Sequence, residues 1–190
     1  MSREKIMAAA ISVFSKVGYY RASMDDIART AEVAKGTLYY HFPTKLELFK
    51  CLVTEGMKYI TGKIRKEFDE NLPVDIQLKN AIESNVSLYI EYKELATIFF
   101  NELSNGIDAD ALVEINTLKN EYICFIADIL RNSCSEEKKK TINFEMAAAG
   151  FLGMLDTTCK FYLKGTDKVK LEEIQEFINE VISAWLYRMF

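Results

Sequence analysis

Between positions 35 and 45 the chain reads Lys35-Gly36-Thr37-Leu38-Tyr39-Tyr40-His41-Phe42-Pro43-Thr44-Lys45. Two ammonium groups, four side-chain hydroxyls and the chain's only histidine fall within this run, beside a glycine that lets main chain approach a partner closely. Cations and hydroxyl donors of this kind serve a phosphate backbone. Their spacing on a helix matters as much as their types. At about 100° per residue, with Leu38 at zero, Phe42 lies at about 40°, while Tyr39, Gly36 and Tyr40 lie at about 100°, 160° and 200°. Leu38 and Phe42 therefore plug a core. The opposite arc, flanked by Lys35, Thr37 and His41, is left for a partner. Lys45 adds a cation in the first turn of the following helix, where free backbone N–H groups also favour phosphate.

The surrounding sequence supplies elements to hold this arc. Apolar residues at 6, 10, 13, 14 and 17 make one stripe of a first helix, which Gly18 ends. Tyr19 to Ala22 form a short link, and Ser23 with Asp26 opens a second helix over about 24–31 in the manner of a capping box. The turn Glu32-Val33-Ala34 leads into a third helix, closed by Pro43. Thr44-Lys45-Leu46-Glu47 is a full capping box and starts a long fourth helix to about residue 70. Further helices are predicted at 74–92, 95–104, 109–131, 136–163 and 171–189, and no segment alternates with period two. Two short helices joined by a three-residue turn behind a buttressing first helix form the helix-turn-helix arrangement that sets its second helix in the major groove.

Composition agrees with this reading and excludes others. Apolar residues are 49% and charged residues 27% of the 190, enough for a sizeable core and not a disordered chain. Residues 1–50 carry eight Lys+Arg against five Asp+Glu, a balance of +3; the remainder carries 16 against 23, or −7. A basic head on an acidic body suits a head that meets a polyanion. The apolar stretch Met146–Leu155 is half of what a membrane span needs, and the N-terminus shows no signal region, so a cytoplasmic protein without membrane attachment is expected. The four cysteines lie far apart, with no zinc or disulfide spacing, so no metal is expected. No catalytic residues are identified: there is no phosphate-binding glycine loop, and the single histidine is used on the exposed arc. Neither an enzyme nor a resident cofactor is expected.

The run from Gly18-Tyr19 through Ser23-Met24-Asp25-Asp26-Ile27-Ala28, then Val33-Ala34-Lys35-Gly36-Thr37-Leu38-Tyr39-Tyr40-His41-Phe42, Lys45 and Leu48-Phe49, resembles the N-terminal domain of tetracycline-repressor (TetR) family regulators. The resemblance covers residues 3 to 50. It implies an all-α protein with a three-helix helix-turn-helix DNA-binding domain (1–46), followed by a larger helical effector-binding and dimerisation domain (47–190). It also implies that Lys35, Gly36, Thr37, Tyr39, Tyr40 and His41 face double-stranded DNA, with Ser23 and Lys45 pinning the flanking backbone. Val33 and Ala34 occupy turn positions that vary with operator sequence; being apolar, they could meet a thymine methyl.

For the body the resemblance implies a homodimer and a small, apolar effector of unknown identity. Ala149, Gly150 and Gly153, small enough for close helix approach, and the apolar Ile178, Val181, Ile182 and Trp185 are the dimer candidates. The same residues would serve equally as intramolecular core. Tyr59, Tyr89, Phe99, Phe100, Tyr122, Phe125, Phe151, Met154 and Tyr162 are the pocket candidates, with packed core as the alternative. Asn101, Glu102 and Thr157 are the polar groups expected to point inward. The function expected is a ligand-responsive repressor that binds a palindromic operator as a dimer. A helical carrier whose head docks a protein partner is the alternative.

Overall fold

A computed structural model describes residues 2–67, 69, 71–92, 94, 98, 109–132, 134–164, 173, 176–177, 180–181 and 184. Among them there are helices and no strands. Seven helices have defined bounds: α1 (Ser2–Arg21), α2 (Met24–Thr30), α3 (Lys35–His41), α4 (Lys45–Glu67), α5 (Val74–Glu91), α6 (Ala109–Asn132) and α7 (Phe144–Lys164), with a single 3-10 turn at Lys138–Lys140. The chain packs as two compact units. Residues 1–59 and 92–118 make the first, and residues 60–91 and 119–190 the second. The expected helices at 95–104 and 171–189 lie almost wholly outside the described residues.

The first unit is organised around α1, α2 and α3. Ile6, Ala9, Ala10 and Phe14 form the inward stripe of α1, and Ile27, Ala28, Leu38, Leu48 and Phe49 complete a shared apolar interior. Phe14 meets Phe49 edge-on at 5.7 Å, and the Tyr19 ring packs on both. Val17, expected on this stripe, is 37% exposed. The helical path breaks at the next residue: Gly18 adopts φ 79, ψ 161, and residues 19–21 make a further helical turn beyond it. Arg3 ties the start of α1 to α4 by donating to Glu55 Oε1 at 2.5 Å and to Cys51 Sγ at 2.9 Å, and its guanidinium stands over the Phe42 ring.

In the second unit α5, α6 and α7 share a core of Val86, Ile126, Ala127, Ile129, Leu130, Phe144, Ala148, Phe151, Leu152 and Leu155, with Cys134 and Cys159 packed among them as small apolar groups. The helix expected from residue 136 instead starts at Phe144. The lysines at 138–140 make only one tight turn, and the Asn143 side chain accepts from the Met146 N–H at 2.8 Å, an N-cap that sets the true beginning. The charge run that looked helical from its composition could not outcompete that cap.

Two backbone positions invite opposite substitutions. Gly18 lies in a region of φ/ψ space that is almost closed to other residues, so Gly18→Ala costs about 1–3 kcal/mol. Glu32, at φ 55, is left-handed without being glycine, so Glu32→Gly gains up to about 1 kcal/mol. Urea midpoints at constant denaturant slope check both.

Candidate nucleic-acid interface

The reading helix is held from behind. Leu38 is fully buried and Phe42 nearly so at 4%, while Tyr39 is 46% and Tyr40 83% exposed, the division the helical spacing predicts. Gly36 is exposed as well, and a Cβ built on it meets nothing within 4 Å. The absence of a side chain there does nothing for the protein's own packing. It keeps the surface low for whatever docks on it. Thr37 and His41 are half-buried at the edges of the same arc, and Tyr40 and His41 touch edge-on at 5.4 Å.

Ahead of α3, Ala34 is extended and exposed, Val33 half-buried. The turn closes through Val33 N–H donating to Ala28 O at 3.1 Å and Glu32 N–H to Arg29 O at 3.2 Å. The left-handed residue that makes this possible is Glu32. Sequence reading missed it because glycine is the ordinary signal for that conformation. Ser23 caps α2: its hydroxyl accepts from Asp26 N–H at 3.1 Å and donates to Asp26 Oδ2 at 2.5 Å. That bond, helped by Arg29, holds the Asp26 carboxyl below the usual carboxylate range.

The two cations are placed differently. Lys35 is largely exposed and reaches back to Asp25 Oδ2 at 2.5 Å. That exposed pair is easily exchanged for another anion. Lys45 is half-buried: its ammonium donates to Tyr19 O at 2.8 Å and Ala22 O at 3.0 Å, touches Tyr20 O at 3.4 Å, and stands 4.5 Å over the Tyr19 ring. Nothing in the sequence announces these contacts, because they join residues more than twenty positions apart.

In the second unit, Tyr89, Tyr122, Phe125 and Met154 pack against the core that contains Phe151, so five of the pocket candidates come together. Tyr59 belongs to the first unit, 52% exposed, where its hydroxyl lies 3.1 Å from that of Tyr92. The side chains of Phe99, Phe100 and Tyr162 lie outside the described residues. Thr157, expected to point inward, is exposed, and Asn101 and Glu102 lie outside the described residues. The inward polar groups are instead Asn85, which donates to Tyr122 Oη at 2.6 Å, and Asp156, which accepts from the Tyr89 hydroxyl. Burial and the Asp156 charge push the Tyr89 hydroxyl well above the tyrosine range and the Cys159 thiol up to about 12. Both shifts favour the protonated form.

Along the outside of α7, Met146, Ala149, Gly150, Gly153, Thr157 and Phe161 recur at spacings of three and four, all exposed, with Met146 and Phe161 each at 73%. Val181 is half-exposed; Ile178, Ile182 and Trp185 lie outside the described residues. Among the described residues no three of His, Cys, Asp and Glu converge as a metal site requires, and no helix is long and apolar enough to cross a membrane.

Comparison with known proteins places these features. Residues 6–52 match the family described as bacterial regulatory proteins, tetR family. The HTH-type transcriptional activator FasR of Mycolicibacterium smegmatis is 33% identical over 185 residues, covering 96% of this chain and 81% of that protein. The negative transcriptional regulator IcaR of the Staphylococcus epidermidis biofilm operon icaADBC is 32% identical over 128 residues, 64% of this chain and 66% of its own. The crystal structure of the transcriptional regulator FadR from Bacillus subtilis in complex with stearoyl-CoA shares the fold at a TM-score of 0.82, with 22% identity over 94% of this chain and 96% of that one. With its N-terminal helix-turn-helix and helical body, the chain belongs to the tetR family of bacterial regulatory proteins and is a DNA-binding transcriptional regulator.

Proposed function

We propose that this regulator is a cytoplasmic repressor, which holds a two-fold symmetric operator as a homodimer and releases it when a fatty-acyl effector enters the body. The observation that carries the DNA half of this reading is the outward arc of α3, where an exposed Tyr40 and an unencumbered Gly36 stand opposite a fully buried Leu38. Lys35, Thr37, Tyr39, Tyr40 and His41 supply donors to phosphates and base edges, Ser23 flanks them, and Val33 and Ala34 offer methyl contacts. One seven-residue helix reads too few base pairs for specificity, so two heads act together, about one DNA turn apart.

Pairing is supported by the exposed stripe on α7. Its glycines let two backbones approach closely, and a second protomer laid along it would take the exposed Met146 and Phe161 out of water. The acyl effector is supported by the aromatic and sulfur side chains gathered around Phe151 and by the stearoyl-CoA of the FadR relative. Repression is supported by the IcaR relative, although FasR carries the opposite sign. An effector can release DNA only by binding better to the head separation that does not fit the operator.

A duplex selected from a random pool by the intact protein should be palindromic; a non-palindromic winner overturns the dimeric reading. Gly36→Ala should leave the melting temperature equal or higher, since alanine is the better helix former by about 1 kcal/mol, yet abolish binding to that duplex. Lys35→Ala should lower the log–log salt slope by about one per protomer. Gly153→Arg should yield monomers in sedimentation. Stearoyl-CoA, but not free coenzyme A, should release the selected duplex and raise the melting temperature as its concentration passes the dissociation constant.

A further inference from the structure

By residue type and position, Lys45 invites the role of a phosphate contact beside the reading helix. Its surroundings give it other work. Its ammonium donates to the carbonyl oxygens of Tyr19 at 2.8 Å and Ala22 at 3.0 Å, with that of Tyr20 at 3.4 Å. These carbonyls are gathered by the Gly18 break: past φ 79 the chain makes one more turn, which Ala22 N–H closes onto Gly18 O at 3.1 Å. Carbonyls at the end of a helix have no intrahelical partner and carry its negative pole, so a cation is the fitting cap. The Tyr19 ring, wedged between Phe14 and Phe49, forms the floor beneath the charge at 4.5 Å. A half-buried cation that also stands over an aromatic face is held more firmly than an exposed ion pair.

We infer that Lys45 is a positioning strut of the DNA-binding head: its ammonium, held by the carbonyls at and just past the end of α1, sets the corner between α3 and α4 before DNA arrives. Phe42, the C-cap of α3, lies three residues before it, separated only by Pro43 and Thr44. Fixing Lys45 therefore fixes the exit of the reading helix, while the buried Leu38 fixes its middle. Two such points on so short a helix determine its tilt. Lys35 contrasts with it: largely exposed, held only by an exposed aspartate, it can exchange that partner for a phosphate.

The test uses full-length protein and a duplex selected from a random pool by the wild type. Lys45→Met keeps the aliphatic stem and removes the charge. It should lower the melting temperature of the DNA-free protein. Measured well below that temperature, its affinity should fall roughly tenfold, as it would if one dimer in ten kept both heads in the competent geometry. Its salt slope should stay that of the wild type, whereas Lys35→Ala lowers the slope by about one per protomer. Amine-reactive labelling of the wild type avoids any folding defect of the variant: Lys45 should react slowly both with and without DNA, and Lys35 should become protected only on binding. A lowered slope or an unchanged affinity in Lys45→Met, or a Lys45 that labels readily until DNA protects it, would overturn the inference.

Discussion

A helix of seven residues has no stability of its own in water, where isolated helices shorter than about 12–15 residues are marginal. The reading helix exists because Leu38 and Phe42 are taken out of water by the interior that Phe14, Ile27 and Phe49 share. Everything on its other side inherits its position from that burial. Tyr39, Tyr40 and Gly36 are exposed because the chain has spent its apolar side chains on the opposite face. A core substitution behind α3 would thus act on DNA recognition without touching a contact residue, by letting the arc tilt.

The body solves a different problem, that of keeping polar groups among apolar ones. Asn85 is 5% exposed, and its amide is used twice, on Ala81 O at 2.8 Å and on Tyr122 Oη at 2.6 Å. Tyr89 on α5 and Asp156 on α7 make a second link through the same region. Such links add little net energy while they are made, but breaking one strands a desolvated group at a cost of about 1–3 kcal/mol. Their effect is directional. They favour one relative rotation of α5, α6 and α7 over the alternatives that an all-apolar interface would tolerate.

Much of the head was legible in the sequence because it is written in local signals. Ser23 and Thr44 announce their caps, Pro43 its stop, and the 3.6-residue spacing of Leu38 and Phe42 the inward side of α3. What escaped was long-range or disguised. Glu32 hides a left-handed turn behind a residue type that rarely adopts it, Lys45 finds partners more than twenty residues away, and Asn85 lies buried on a helix whose visible pattern was apolar. The false start of α7 has the same root: the lysine run at 138–140 has good helix propensity, yet a cap three residues later decided the boundary. Thr157 was misplaced because polarity among aromatics reads as interior, whereas it lies on the outward stripe with Gly150 and Gly153.

The first compact unit joins residues 1–59 to residues 92–118, with an excursion into the second unit between them. This has a consequence for biosynthesis. The helices α1, α2 and α3 are closed by neighbours in the sequence and can form as they leave the ribosome, but the unit as a whole waits for Ile98 and Ile115, both buried, to be translated. Until then the nascent regulator passes through an interval in which its DNA-facing arc is already built while the unit that carries it is still incomplete.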